Sequence, residues 1–159
     1  MTYQIDQSGK IEDTSKDTVL ALSNDIVFSL LIPRYVKRRL QKIFRNSGQP
    51  RIFVLVVFSA GLSLLLKKSN PKKRVIIDRE YYGKEGDIKK YLNEMLSNAK
   101  NTPPFAFQRI GKASRAHFLA KTTAQGKNKP NFKATLEDLI AEVGKTEVSK
   151  TTKGRLSQG

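Results

Sequence analysis

The hydrophobic positions along the chain follow strand spacing in some segments and helix spacing in others. Tyr3–Asp6 and Thr18–Leu22 are short apolar and β-branched segments that predict two strands, which are expected to pair antiparallel. Gly9, shortly after the first segment, is a turn residue. Arg74–Asp78 and Phe105–Ile110 predict two further strands.

Helix spacing, with apolar residues three and four positions apart, follows four start signals. Pro33 precedes a basic amphipathic segment, Asp87 and Ser114 are candidate N-caps, and Thr135 with Asp138 is close to a capping box. The predicted helices cover Pro33–Arg45, the segment from Asp87 to Leu96, the segment after Ser114, and the segment from Thr135 to Gly144.

The most apolar segment, Ile52–Leu66, changes character along its length. Its first part, IFVLVVF, is β-branched and aromatic and predicts a buried central strand. A turn at Ser59-Ala60-Gly61 and a short Leu-rich helix are expected to follow. The segment is shorter than the roughly 20 residues that a bilayer core requires, so no membrane span is predicted.

Positive charge dominates the composition, with 30 Lys and Arg against 14 Asp and Glu, a net charge of +16. Ile26–Ile77 and Met95–Leu136 contain no acid, so a continuous positive surface is expected. Such a field favours polyanions, and nucleic acid (DNA or RNA) is the expected partner. Residues 1–144 are expected to form one domain, followed by a flexible basic tail at 145–159.

Several classes of chemistry are excluded by what the sequence lacks. Without cysteine there are no disulfides, thiolate zinc sites or Cys nucleophiles. The single histidine, His117, excludes a multi-histidine metal site, and the phosphate-binding motifs GxxxxGK[ST] and GxGxxG are absent. The N-terminal segment has no secretory pattern, so the cytoplasm is the expected location.

Carboxylates near strand ends are the remaining candidates for catalysis. Asp6 ends the first predicted strand, Asp78 ends a later one, and Glu80 follows two residues on. Acids at strand ends can converge at one edge of a sheet and bind Mg²⁺ or Mn²⁺, which support phosphodiester cleavage. Each acid also has a structural alternative, because Asp6 fits a turn and the other two fit surface ion pairs.

The order of the elements and the two aspartates resemble the RNase H-like superfamily, which includes resolvases, integrases and nucleases. YQIDQSG, with Asp6, and RVIIDREYYG, with Asp78, carry the resemblance, which spans about residues 1–144. It implies an α/β fold with a mixed central sheet of about five strands flanked by helices. It also implies Asp6 and Asp78 as ligands of Mg²⁺ or Mn²⁺. Ala60–Lys68, where such proteins commonly carry an acid, has none.

Two basic segments are predicted to bind nucleic acid. The first is the amphipathic helix after Pro33, whose basic side would lie on phosphates. The second is FQRIGKASRAH, where cations and the amides of a helix start would hold a phosphate. The residues are Arg34, Lys37, Arg38 and Lys42 in the first segment, and Arg109, Lys112, Ser114 and Arg115 in the second. His117 is a candidate proton shuttle. An ordinary helix cap and a packed histidine are the structural alternatives.

Two functions compete on these grounds. One is a metal-dependent nuclease of RNase H-like type, in which Glu80 or an acid of the last helix completes the site. The other is a non-catalytic DNA- or RNA-binding protein on a degenerate version of the same fold. A third hypothesis, a membrane-surface protein, would use the basic helix together with Ile26–Ile32.

Overall fold

The computed structural model describes residues 2–148, and most of the predicted tail, from residue 149 onward, lies outside the described residues. Within this range the chain forms an α/β fold with one mixed sheet of six strands, one more than about five, and five α-helices. The strands are β1 (Tyr3–Ser8), β2 (Thr18–Ser23), β3 (Val27–Ile32), β4 (Val75–Ile77), β5 (Phe105–Phe107) and β6 (Phe132–Lys133). The helices are α1 (Arg34–Asn46), α2 (Phe53–Ser69), α3 (Glu85–Leu96), α4 (Arg115–Ala124) and α5 (Leu136–Val143).

The strands lie in the order β5-β4-β1-β2-β3-β6. β2 runs antiparallel to β1 and β3, whereas β4 is parallel to β1 and to β5. β6 is parallel to β3. Helix α2 packs on one face of β2 and β3, and α4 packs on β1 and β2. The alternating side chains of the central strands are therefore covered by helices on both faces.

Four of the five strands expected from the sequence are present, but their ends differ. β1 continues past Asp6 to Ser8, so Asp6 lies within the strand, and β5 stops at Phe107. Val27–Ile32 forms β3 and places Leu30 and Ile32 in the core. β6 was not expected, because a strand of two residues has no periodicity that a sequence pattern could detect.

The strand, turn and short helix predicted for Ile52–Leu66 are wrong, because a short turn at Pro50–Ile52 leads directly into the single continuous helix α2. α2 contacts β2, β3, α3 and α5, so it needs apolar side chains on every side. This burial outweighs the modest strand preference of IFVLVVF. Gly61 serves packing rather than a turn: a Cβ there would lie 2.8 Å from Leu20 Cδ1.

The segment Pro50–Ser69 is long and apolar enough to cross a membrane by length and composition alone. In the structure 67% of its most apolar stretch is buried inside the protein. The core helix of a soluble protein meets the same criterion, and the position of α2 is consistent with a soluble protein. The cytoplasmic location remains a prediction.

Local start signals predict the helices well. Ser114 caps α4 by accepting a hydrogen bond from the Ala116 amide, and Thr135 with Asp138 forms a complete capping box on α5. The cap predicted at Asp87 is wrong, because α3 begins two residues earlier and this acid lies in its first turn. An acid in the first turn still stabilises a helix through the dipole.

Lys37 differs from the other basic residues of α1 because its side chain is completely buried. Its Nζ donates to the carbonyl oxygens of Lys10 (3.0 Å) and Asp13 (2.6 Å) and to the Thr18 hydroxyl (3.0 Å). The prediction that Lys37 contacts nucleic acid is therefore wrong. The ammonium group instead holds the loop between β1 and β2, and burial lowers its pKa to about 8.

The contribution of Lys37 can be measured with Lys37→Met, which keeps the length of the side chain but removes the three hydrogen bonds. We expect unfolding by urea at pH 7 to show a loss of about 2–4 kcal/mol. The free energy of unfolding of the wild type should rise relative to that of the variant between pH 8 and 10.5. In this range the unfolded chain still binds the proton that the folded lysine has released. Equal stability of the two proteins would contradict this role.

Candidate metal centre

The parallel pairing of β1 with β4 brings two aspartates together. Ile5 lies opposite Ile77, and the amide of the next residue, Asp78, donates to the Ile5 carbonyl oxygen at 2.9 Å. Asp6 and Asp78 therefore occupy neighbouring positions at the same level of the sheet. Because side chains alternate along a strand, Asp6 faces the opposite side from Ile5, toward α4.

The turn after β4 returns Glu80 to the same place. Its amide donates to the Asp78 carbonyl oxygen at 3.0 Å. The next residue, Tyr81, packs edge-on against Phe58 of α2 with ring centroids 5.0 Å apart. The Tyr81 hydroxyl also accepts from the amide of Ile11 at 3.1 Å. Tyr81 is thus a packing residue that anchors the turn and thereby fixes Glu80.

Each of Asp6, Asp78 and Glu80 offers a carboxylate oxygen to one cluster, in which these atoms all lie within 4.8 Å of one another. We call these three residues the carboxylate cluster. Asp6 is 4% exposed, whereas the other two are half-buried. Such a set of hard oxygen ligands, accessible from one side, suits Mg²⁺ or Mn²⁺.

Backbone amides and one histidine orient the aspartates. The Gln7 amide donates to Asp6 Oδ1 at 2.8 Å, and the Ile110 amide donates to Asp78 Oδ1 at 2.6 Å. His117 Nδ1 lies 2.7 Å from Asp6 Oδ2. Since a carboxylate accepts, this contact favours the tautomer with hydrogen on Nδ1 and leaves Nε2 as the acceptor nitrogen.

Burial next to two other carboxylates raises the pKa of Glu80 to about 9. Burial is the largest cause, followed by hydrogen bonds to Asp78 and Asp6 and then by repulsion from both. Glu80 therefore holds a proton at neutral pH when no cation is bound. A cation between the carboxylates would replace this proton.

The second predicted binding segment adjoins the cluster. Ile110, whose amide binds Asp78, lies next to the exposed Arg109 and two residues before the exposed Lys112. Arg115 is also exposed. The Ser114 hydroxyl is engaged within the protein, because it donates to Gln4 Oε1 at 2.8 Å and also caps α4. Arg109 thus adjoins a residue that binds the cluster, while the serine fixes the start of α4.

The remaining candidates lie elsewhere. Arg34, Arg38 and Lys42 are exposed on α1, and within residues 2–148 none of them forms a hydrogen bond or salt bridge with the carboxylate cluster. No acid of α5 joins the cluster within the described range. Glu142, for example, is buried and bonded to Ser63, Lys67 (2.7 Å) and Lys145 (2.8 Å). Glu80 is the third member instead.

Gln4 was not singled out from the sequence, although the alternation in YQIDQS contains a signal for it. Gln4, Asp6 and Ser8 are polar at every second position, which places them on one face of β1. Gln4 ties β1 to the N-terminus of α4 through Ser114. It thereby helps to bring His117, in the first turn of that helix, to Asp6.

Comparison of the chain with protein-family models, with curated proteins and with solved structures finds no match in any of the three. The functional interpretation therefore depends on the geometry and chemistry of the site itself.

The proton on Glu80 gives a test in the metal-free protein. Between about pH 4.5 and 9 the unfolded chain loses this proton and the folded chain retains it, so its contribution to stability falls as pH rises. Glu80→Gln cannot lose a proton. We expect its free energy of unfolding to exceed that of the wild type by about 1–2 kcal/mol at pH 8, a value reduced for partial solvation. At pH 4 the two proteins should be equally stable.

Urea denaturation in EDTA at both pH values measures this difference. Glu85→Gln is the matched control, because hydrogen bonds from the backbone and from Arg79 hold the pKa of Glu85 below its ordinary value. This control should show no stabilisation with rising pH. A Glu80→Gln variant that is less stable than wild type at pH 8 would argue against a shared proton.

Proposed function

We propose that this protein is a divalent-metal-dependent nuclease with an RNase H-like fold, which binds DNA or RNA and cleaves phosphodiester bonds. The observation that carries the proposal is the convergence of Asp6, Asp78 and Glu80 from β1 and the end of β4. A positive net charge of +16 around this acidic centre supports a polyanionic substrate.

The fold supports the proposal as well. The first strand carries Asp6, a hairpin leads to the second, and the fourth strand is followed directly by Asp78. A mixed sheet flanked by helices, with acids from neighbouring strands, is what the RNase H-like resemblance implies. β6 and the helix α1 are additions to that plan.

The donor set fits the metal ion that this function needs. Asp6, Asp78 and Glu80 would hold Mg²⁺ or Mn²⁺, since all three provide oxygen ligands and the proton on Glu80 marks a place where positive charge is favoured. Such an ion, when bound, activates water and stabilises charge on the phosphate oxygens.

The residues around the cluster have separate tasks in this mechanism. His117 orients Asp6 through Nδ1, and its partly exposed ring can take up a proton at Nε2. The Ile110 amide holds Asp78 in place. Arg109, Lys112 and Arg115 attract the phosphate backbone to this edge of the sheet.

A non-catalytic nucleic-acid-binding protein is the second candidate, favoured by a specific observation. The carboxylates are already satisfied without a metal ion, because Asp6 has the Gln7 amide and His117, Asp78 has the Ile110 amide, and Glu80 shares its proton. A cluster of this kind can persist as structure alone. The membrane-surface hypothesis is weakened, since Leu30 and Ile32 of its apolar segment are buried.

Metal binding and cleavage test the proposal together. We expect millimolar Mn²⁺ to raise the melting temperature, to broaden the NMR signals near Asp6 and Asp78, and to support cleavage of a short labelled DNA or RNA. Asp6→Asn keeps the shape of the side chain but loses the charge. It should reduce metal affinity and cleavage by at least about 100-fold, because replacing even a hydrogen-bond partner of a metal ligand commonly lowers affinity or activity 10–100-fold.

Glu137→Gln, an exposed acid of α5 outside the cluster, is the matched control and should leave both properties unchanged. Nucleic-acid binding by Asp6→Asn should persist, because the lost charge is negative. Strong binding without any metal-dependent cleavage by the wild type would support the second candidate instead. Absence of Mn²⁺ effects near both aspartates would exclude the metal centre.

The role of His117 is tested separately with His117→Gln, which preserves a donor but not a titrating ring. We expect a 10–100-fold loss of cleavage or of Mn²⁺ affinity. If His117 moves a proton, the pH–rate profile of the variant should also lose one limb. A variant with wild-type rate and profile would limit His117 to packing.

A further inference from the structure

A groove of about 440 Å³ lies between the β1–β2 loop and the C-terminal part of α4. Three cationic side chains from different elements line it: Lys16 of the loop, Arg34 of α1 and Lys121 of α4. We call it the β1 groove. Asp17 also lines it and pairs with Arg34, through the backbone amide (2.8 Å) and through Nε (3.5 Å).

The charge balance of the β1 groove favours an anion. Arg34 offsets the carboxylate of Asp17, so two positive charges remain. Among residues 2–148, neither Lys16 nor Lys121 forms a salt bridge. Both side chains are exposed and can turn toward a ligand. Their ammonium groups suit phosphate oxygens as point charges.

The loop that carries Lys16 is held in one conformation. The buried Lys37 ammonium binds the Lys10 and Asp13 carbonyl oxygens, and Thr18 Oγ1 donates to the Gly9 carbonyl oxygen at 2.9 Å. Gly9 has a φ of 81°, and the Asp17 carbonyl leaves no space for a Cβ there. A preformed wall of this kind lowers the entropy cost of binding.

The β1 groove continues from the carboxylate cluster along the same two elements. Ser8, which lines it, lies two residues beyond Asp6 on the same face of β1, or about 7 Å along the strand. Lys121 lies one turn beyond His117 on α4, or about 6 Å. One strand of a duplex carries a phosphate per about 3.4 Å of axis, so about two phosphates span this separation.

We infer that the β1 groove is a phosphate-binding subsite, in which Lys16 and Lys121 supply the positive charge, for the nucleic-acid strand that passes over the carboxylate cluster. The inference rests on the proposed function, because that function brings a strand to Asp6. It assigns to Lys16 and Lys121 a binding role that their sequence context does not indicate.

The double variant Lys16→Gln/Lys121→Gln tests this subsite. Binding of a labelled 20-nucleotide single strand and of a duplex is measured by fluorescence anisotropy in EDTA, over a series of salt concentrations. We expect affinity to fall at least about 10-fold. The slope of log affinity against log salt should become less steep by roughly two, one for each lost phosphate contact.

Lys72→Gln/Lys73→Gln is the matched control, with the same change of net charge at exposed residues before β4, at the opposite end of that strand from Asp78. It should weaken binding far less. Lys16→Arg/Lys121→Arg should restore affinity, and circular dichroism should show all variants folded. Equal losses in the two Gln double variants, or no binding by the wild type, would overturn the subsite.

The outcomes separate the subsite from the nuclease. Because binding is measured without metal, a selective loss in Lys16→Gln/Lys121→Gln supports the subsite even when the wild type cleaves nothing, and the nuclease alone is then refuted. Metal-dependent cleavage combined with equal losses in both double variants refutes the subsite alone.

A neutral methylphosphonate linkage gives the register of the strand. Placed about two positions from the cleaved bond, it should weaken wild-type binding but not binding by the double variant. The same effect in both proteins would place the phosphate elsewhere.

Discussion

The parallel register of β1 against β4 is the constraint on which the candidate site depends. Ile5 and Ile77 face the large core under α2, and this burial fixes which residues pair. A shift of β1 by one residue would move Ile5 out of this core and turn Asp6 into it, so the register is strongly specified. The same apolar packing that stabilises the sheet therefore places Asp6 beside Asp78. Glu80 reaches them only because Tyr81 anchors the following turn on Phe58.

Buried charge is handled differently on the two faces of the sheet. The Lys37 ammonium is buried but donates to three oxygen atoms, which offset the free-energy cost of burying its charge. It thereby organises a loop. The carboxylate cluster instead concentrates like charges, and a proton on Glu80 relieves the repulsion. The first arrangement is complete within the protein, whereas the second could hold a cation in place of that proton. This contrast is the physical reason for treating the cluster, and not the buried lysine, as the functional centre.

Much of the fold could be predicted because its signals are local. Ser114 and the Thr135–Asp138 pair are caps whose hydrogen bonds span two or three residues, and both predictions are confirmed. α2 could not be predicted in the same way, because its surroundings and not its propensities determine its structure. Lys37 lies three residues before Leu40, on the apolar stripe of α1, so helix spacing contained a signal for its burial.

The sequence by itself determined the α/β class, the positive charge and the choice of Asp6 and Asp78 as candidate ligands, but it left the third acid open between Glu80 and the last helix. Only the tertiary structure decided that the three acids meet, and that His117 lies 2.7 Å from a residue 111 positions away. Contacts over such separations depend on strand order and helix packing. Those are decided by the burial of the whole core, which no single segment of the chain encodes.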